Sequence, residues 1–204
     1  MNKAELKANF QGVFNRPDLT DAQQEFYIQA ASVRLSRVLR SPSMEGLIER
    51  EVDANNEIHL PNNFLDHLDL YPDAANTPST KALTPQGLRN LPKTFGAYPT
   101  HYARIGDRYR LHPTVPEGTV MWLYYYATPQ PLIFDTDTSS LSRTAYDVLI
   151  YGACVDAATF FVDDRISAFE ELYRNRLGEI MEQSALTKNT GGSPAVAPGT
   201  TQEV

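Results

Sequence analysis

Hydrophobic and polar positions change their period twice along this chain. Near the start, Leu6, Phe10, Val13 and Phe14 recur at spacings of four, three and one, which predicts a short amphipathic helix over residues 1 to 16, closed by Pro17. Thr20 with Gln23 three residues on makes a capping-box signature. Behind it, Phe26, Tyr27, Ala30, Ala31, Val33, Val38 and Leu39 predict a second helix whose wide apolar face reaches Arg40. The period then shortens to two. Ile48, Arg50 and Val52 alternate with Glu49 and Glu51, so a strand exposed on one side is expected. Glu57 to Leu60 should pair back on it as a hairpin across Asp53-Ala54-Asn55-Asn56. Asn62 to Tyr71 reads as a short helix with Phe64, Leu65 and Leu68 inward, and Thr84 to Leu88 as a brief helical turn.

The richest β segment runs from Tyr98 to Leu132. Three strands are predicted there, separated by Gly106-Asp107 and by His112-Pro113 through Pro116-Glu117-Gly118. Within it Trp122, Tyr124 and Tyr126 share one face while Met121, Leu123 and Tyr125 share the other. A strand apolar on both faces is expected at the centre of a sheet in a sandwich. The aromatics could alternatively form an exposed stacking platform for sugars or bases.

Beyond residue 134 the helical period returns. Asp135, Asp137 and Ser139 resemble half of a calcium loop. The glycine and glutamate such a loop needs are replaced by Ser140 and Tyr146, so a turn and helix cap is the better account. Thr144 with Asp147 predicts another capping box, opening a helix from Val148 to Val162 that is apolar nearly all round and must be buried by its own fold or by neighbouring subunits. Asp163-Asp164 marks a break. Ile166, Phe169, Tyr173, Leu177 and Ile180 then make a clean helical stripe. From Lys188 onward Gly, Pro, Ser and Thr dominate, a composition that cannot bury a core and should be extended when free.

The predicted fold is therefore α+β. N-terminal and C-terminal helices form a helical layer, a small antiparallel β module, sandwich or barrel-like, is inserted between them, and an extended C-terminal tail follows. The expected divisions are residues 1–43, 44–134, 135–187 and 188–204.

Composition narrows the function. The chain has 204 residues and a formal net charge of −7, which disfavours a sequence-independent grip on nucleic acid by the molecule as a whole. Cys154, the only cysteine, lies in an apolar run and reads as a buried inert thiol. The start of the chain lacks a signal-peptide core, and no run approaches membrane-spanning length, so no membrane partner is expected.

No hydrolase, nucleotide-binding or zinc-protease motif occurs. His101 and His112 could meet across a hairpin, yet two imidazoles make an incomplete zinc site. The chain is expected to be no enzyme, with no cofactor and no metal. Arg34, Arg37 and Arg40 repeat every three residues. They are either a solvated stripe favoured by the helix dipole or a contact with an acidic partner or DNA phosphate, and the dipole account needs no ligand.

One resemblance organises these observations. Leu60-Pro61-Asn62-Asn63-Phe64-Leu65, then Tyr98-Pro99-Thr100-His101-Tyr102-Ala103 with Gly106, resemble phage head-to-tail adaptor (connector) proteins of short-tailed, podovirus-like phages. So do Arg110-Leu111-His112-Pro113, Leu123 to Pro129, and Leu149-Ile150-Tyr151-Gly152-Ala153 with the helix that follows. The resemblance covers roughly residues 20 to 185.

The resemblance implies a structural virion protein at the head-tail junction, assembled in the host cytoplasm. It implies a homo-oligomeric ring, typically of twelve copies, under the phage portal protein. The ring would offer the tail an attachment platform and let genomic DNA pass through without specific binding. On the same resemblance the C-terminal segment reaches the portal, with Lys188, Asn189, Thr190, Pro194, Val196, Pro198 and Val204 as expected contacts. Arg34, Arg37, Arg40, Tyr151, Phe160 and Phe161 are expected at a subunit or portal interface. The alternative is a small β-domain binding module for carbohydrate or nucleic acid that uses exposed aromatics.

Overall fold

A computed structural model of the chain describes residues 1–73, 81–90 and 98–189. Its elements fall into two compact units, one formed by Met1–Ser43 with the chain from Pro129 onward, the other by Met44–Thr128. The architecture is the expected α+β fold, with helices at both ends of the chain and a β module between them in sequence.

The helical unit begins with α1 (Lys3–Phe14), capped by Asn2 and Glu5 in a reciprocal capping box. Leu6, Phe10 and Phe14 are fully buried, each worth roughly 1.5–3 kcal/mol of transfer free energy. The second helix, α2 (Asp21–Val38), starts at the expected Thr20–Gln23 box. It ends two residues before Arg40, and its inward face is Tyr27, Ile28, Ala31 and Leu35, while Phe26, Val33 and Val38 are exposed. Lys3 and Lys7 of α1 reach Glu25 of α2 at 2.8 and 3.4 Å.

The capping box expected at Thr144–Asp147 does not form. Ser139 and Ser142 cap a short helix α3 (Ser140–Thr144) instead, and Thr144 turns its hydroxyl back to the Ser140 carbonyl at 2.9 Å. Next, α4 (Tyr146–Phe161) packs against α1, α2 and α5 (Ile166–Asn189). It buries Val148, Leu149, Ile150, Ala153, Cys154, Ala157 and Ala158, so most of its apolar surface is covered within its own unit. The break at Asp163-Asp164 is present, and α5 continues through Lys188 to Asn189, past the predicted onset of the tail. The tail contacts expected from Thr190 onward lie outside the described residues.

The β unit is a sandwich of two sheets. Sheet A has the order β1-β7-β3, from β1 (Glu45–Glu51), β3 (Phe64–Pro72) and β7 (Val120–Ala127); all pairs are antiparallel. Sheet B has the order β2-β6-β5-β4, from β2 (Glu57–His59), β4 (Thr84–Pro85), β5 (His101–Ile105) and β6 (Arg108–His112), with only β4–β5 parallel. Leu70, Met121, Leu123 and Tyr125 of sheet A meet Ile58, Tyr102, Tyr109 and Leu111 of sheet B in one buried core. As its two apolar faces require, β7 is the central strand of its sheet.

Three expectations fail here. β1 and β2 do not form a hairpin, because β1 pairs with β7 and β2 with β6. Residues 64–72 are a strand rather than a helix. Register shifts between Phe64 and Asp66 and between His67 and Asp69 insert Leu65 and Leu68 as extra residues. Two bulges break the alternation and leave apolar residues at spacings that imitate a helix. Finally, Thr84-Pro85 joins sheet B as β4, and the helical turn lies later, at Leu88–Asn90.

Candidate interaction surfaces

Aromatic side chains run through the helical unit from core to surface. Phe10 and Phe14 stack at 5.8 Å, and Phe14 touches Phe161 at 6.0 Å and Phe169 at 6.1 Å. At the other end, buried Tyr27 lies between Phe26 (5.4 Å) and Phe160 (6.4 Å). Those two outer rings are 65 % and 64 % exposed, and Val162, just past α4, is 88 % exposed. Ala30 and Val33 extend the ridge along α2, four and seven residues after Phe26 and hence on its side of the helix. Sequence periodicity had assigned Phe26 and Val33 to the buried face. The signal that separates them is their offset from the 27–31–35 stripe, by one residue for Phe26 and by two for Val33.

The arginines of α2 take three different positions. Arg34 donates to Asp156 Oδ1 at 2.9 Å and to the Gly152 carbonyl at 2.8 Å, and its guanidinium lies 5.1 Å from the Tyr173 ring centroid. It therefore bridges α2, α4 and α5. Arg40 folds back to the carbonyls of Ser36 and Leu39, both at 2.9 Å, where the helix C-terminus leaves acceptors open. Arg37 is exposed. Phe161 is half-buried, with the Arg16 guanidinium 4.5 Å above its ring. Tyr151 lines an open groove of about 570 Å³ with Asn9, Val13, Tyr146 and Arg176.

In the β unit, Trp122 and Tyr124 are half-buried on the outer face of sheet A, flanked by Glu49 and Asp69, while Tyr126 is buried. The Tyr124 hydroxyl donates to Glu45, and that carboxylate holds the phenol's pKa up at about 12. Carboxylates beside the rings repel phosphate, which opposes a nucleic-acid platform.

His101 and His112 do stand opposite one another, as the hairpin predicts. His101 Nδ1 is 2.8 Å from the Thr100 hydroxyl. Among the described residues no group of His, Cys, Asp or Glu could hold a metal ion. Burial pushes the Cys154 thiol up to about 12, far from the thiolate a nucleophile needs. No helix of the described residues is long and apolar enough to cross a membrane.

A family model described as SU10 adaptor protein matches residues 1–198. The chain belongs to this family of phage adaptors. No curated protein matches it. The adaptor is thus a structural component of the head-tail junction.

Proposed function

We propose that this adaptor builds a ring of about a dozen copies under the portal, extends the DNA channel and carries the tail. The observation that supports the reading best is the ridge of Phe26, Phe160 and Val162. Three large apolar side chains, on α2, on α4 and just past the end of α4, each more than three-fifths exposed, leave a surface that a lone protein has no use for. Covering the three supplies roughly 3–5 kcal/mol per junction from area alone, and ring closure adds the gain of multivalency.

In this proposal the ridge meets a neighbouring copy or the portal, with Arg37 at its border. The Gly-, Pro- and Thr-rich segment from Lys188 to Val204 reaches onto the portal, ordering as it binds. The formal net charge of −7 suits a passage that DNA slides through without being held.

Purified portal rings mixed with the adaptor provide the test, with bound copies counted by native mass spectrometry or electron microscopy. Wild-type protein should decorate portals as closed rings. Phe160→Asp and Phe26→Asp should keep the monomer's melting temperature and lose ring occupancy. Deletion of residues 188–204 should weaken portal attachment. Wild-type protein that stays monomeric beside portal rings would sink the proposal.

A further inference from the structure

Among its paired residues, the inner face of sheet B carries one charged side chain. Ile58, Tyr102, Tyr109 and Leu111 point from that face into the buried core. Arg104, two residues after Tyr102 and opposite Tyr109 in the register, lies on the same side. Its Nε donates to the Gly106 carbonyl at 3.1 Å, and its guanidinium lies 5.2 Å from the Phe64 ring centroid. These contacts hold the group in place. Among the described residues they leave both Nη atoms without a partner.

Exposed Arg104 lines a depression of about 340 Å³ together with His67, Pro85, Gln86, Tyr102 and Tyr109. The Tyr102 hydroxyl is taken by His67. Tyr109 is only 2 % exposed, and among the described residues its hydroxyl has no hydrogen-bond partner. A phenol buried in this way gives up the hydrogen bonds it made in water. Burial pushes its pKa up to about 12, with Arg104 pulling it down and Asp66 pushing it further up. At neutral pH it is therefore a protonated donor beside the Arg104 charge.

The geometry points to a binding site for a carboxylate, held by the Arg104 Nη atoms and the Tyr109 hydroxyl, with its apolar part against Tyr102 and Pro85. Both free groups donate, and Arg104 has no ion-pair partner of its own among the described residues, so the partner they lack is an anionic acceptor. Asp66 and Asp69 act on the walls as negative charges, both on His67, Asp69 on Tyr102 and Asp66 on Tyr109. Their field disfavours a doubly charged phosphate and leaves a singly charged carboxylate. The volume is at the small end of ligand sites, which run from roughly 300 to 1,000 Å³, and suits one carboxylate with a short carbon skeleton. A small organic acid and the carboxylate of a polypeptide share this chemistry. The site lies within the β unit and does not depend on the ring reading.

Acetate titrated into the full chain at constant ionic strength, followed by NMR, tests it. Saturable shifts at Tyr102, Arg104 and Tyr109 are expected in the millimolar range, with acetamide giving none. Arg104→Gln and Tyr109→Phe should each weaken acetate about tenfold. Arg143→Gln, which removes an exposed arginine of α3, should leave the affinity unchanged. Arg104→Gln alters an exposed side chain, so the test stands even if Tyr109→Phe unfolds early. N-acetylalanine compared with acetate separates the two sources: a polypeptide carboxylate is held more tightly through its added contacts, a small free acid equally. Four outcomes overturn the site: no saturable shift, acetamide binding as well as acetate, phosphate binding more tightly than acetate, or both variants binding acetate as the wild type does, which would mean an adventitious ion only.

Discussion

The Tyr102 hydroxyl and His67 Nε2 lie 2.6 Å apart inside the sandwich, tying β5 of one sheet to β3 of the other. Tyr109 packs on both, 4.7 Å from Tyr102 and 5.8 Å from His67. Burial raises the Tyr102 phenol well above its usual range and lowers the imidazole below 6.5; Asp69 and Asp66 oppose the latter shift only in part. The pair is thus a neutral hydrogen bond between the sheets, net about 1 kcal/mol.

A pH dependence follows from His67. Its folded pKa is depressed below the unfolded value, so the unfolded state binds the extra proton first. Stability contributed here is complete above about pH 6.5 and is lost as pH falls toward the folded pKa. Chemical denaturation between pH 7.5 and 5, each value taken as approximate, should show the wild type losing stability while His67→Gln, weaker throughout, has a flatter profile. Parallel profiles would show that His67 is not the titrating group.

Asn56 is a second buried polar anchor. Its φ is 62°, its Nδ2 donates to the Leu111 carbonyl at 2.6 Å, and its Oδ1 accepts from Val115 N at 3.0 Å. Two elements far apart in sequence depend on one amide. Asn56→Asp keeps the acceptor and loses the donor, leaving a buried negative charge, so it should cost about 3 kcal/mol or more. Asn56→Gly keeps the left-handed backbone and loses both bonds, at about 2 kcal/mol. Urea melts of the pair would separate charge from geometry.

Arg34 makes the corresponding anchor in the helical unit. Asp156 has its pKa raised, chiefly by burial and against the pull of Arg34. The half-buried carboxylate is therefore a cost that the guanidinium offsets. Arg34→Ala should destabilise by about 2–3 kcal/mol, and Arg34→Lys should recover little, because one ammonium cannot reproduce the fork to Asp156 and Gly152. Adding Asp156→Asn to Arg34→Ala should regain part of the loss, a positive coupling that a double-mutant cycle reads directly.

Gly152 completes this junction. A Cβ there would lie 3.2 Å from Ala31 Cβ and 3.3 Å from both Arg34 Nη2 and the Tyr173 ring. Gly152→Ala should lose about 1–3 kcal/mol despite alanine's better helix propensity, because three packed neighbours must move.

How much of this was legible depended on whether a signal was local. The Thr20–Gln23 cap and the central position of β7 could be read because adjacent residues decide them. The 64–72 strand could not, since its two bulges are fixed by pairing with β7, far along the chain. Thr144–Asp147 had the right spacing for a cap and lost to Ser139–Ser142, which sits where the chain actually turns. At the candidate surface, Phe160 was within reach of sequence. Phe26 was hidden by its neighbour Tyr27, because which of two adjacent aromatics turns inward depends on how α2 rests on α4. The carboxylates gathered on the outer face of sheet A were out of reach, since they come together only once β1, β3 and β7 are in register.

Val162 joins fold and function in one residue. It caps α4 with φ 51°, its N–H and that of Asp163 both returning to the Ala158 carbonyl at the helix end. A β-branched side chain in the left-handed region is strained by about 1–2 kcal/mol, and glycine is the residue that position favours. The side chain is nevertheless 88 % exposed, so it gains nothing from its own core. In the proposed assembly, strain kept without internal compensation belongs to a residue used elsewhere, on the docking ridge. Val162→Gly should therefore raise the melting temperature of the free protein by a few degrees, for about 1 kcal/mol, and should lower ring occupancy on portals at the same protein concentration. Val162→Asn, which also tolerates the backbone and is polar, should behave alike. If both variants melt higher and assemble as wild type does, the side chain has no part in the contact; if they melt lower, the strain is absent.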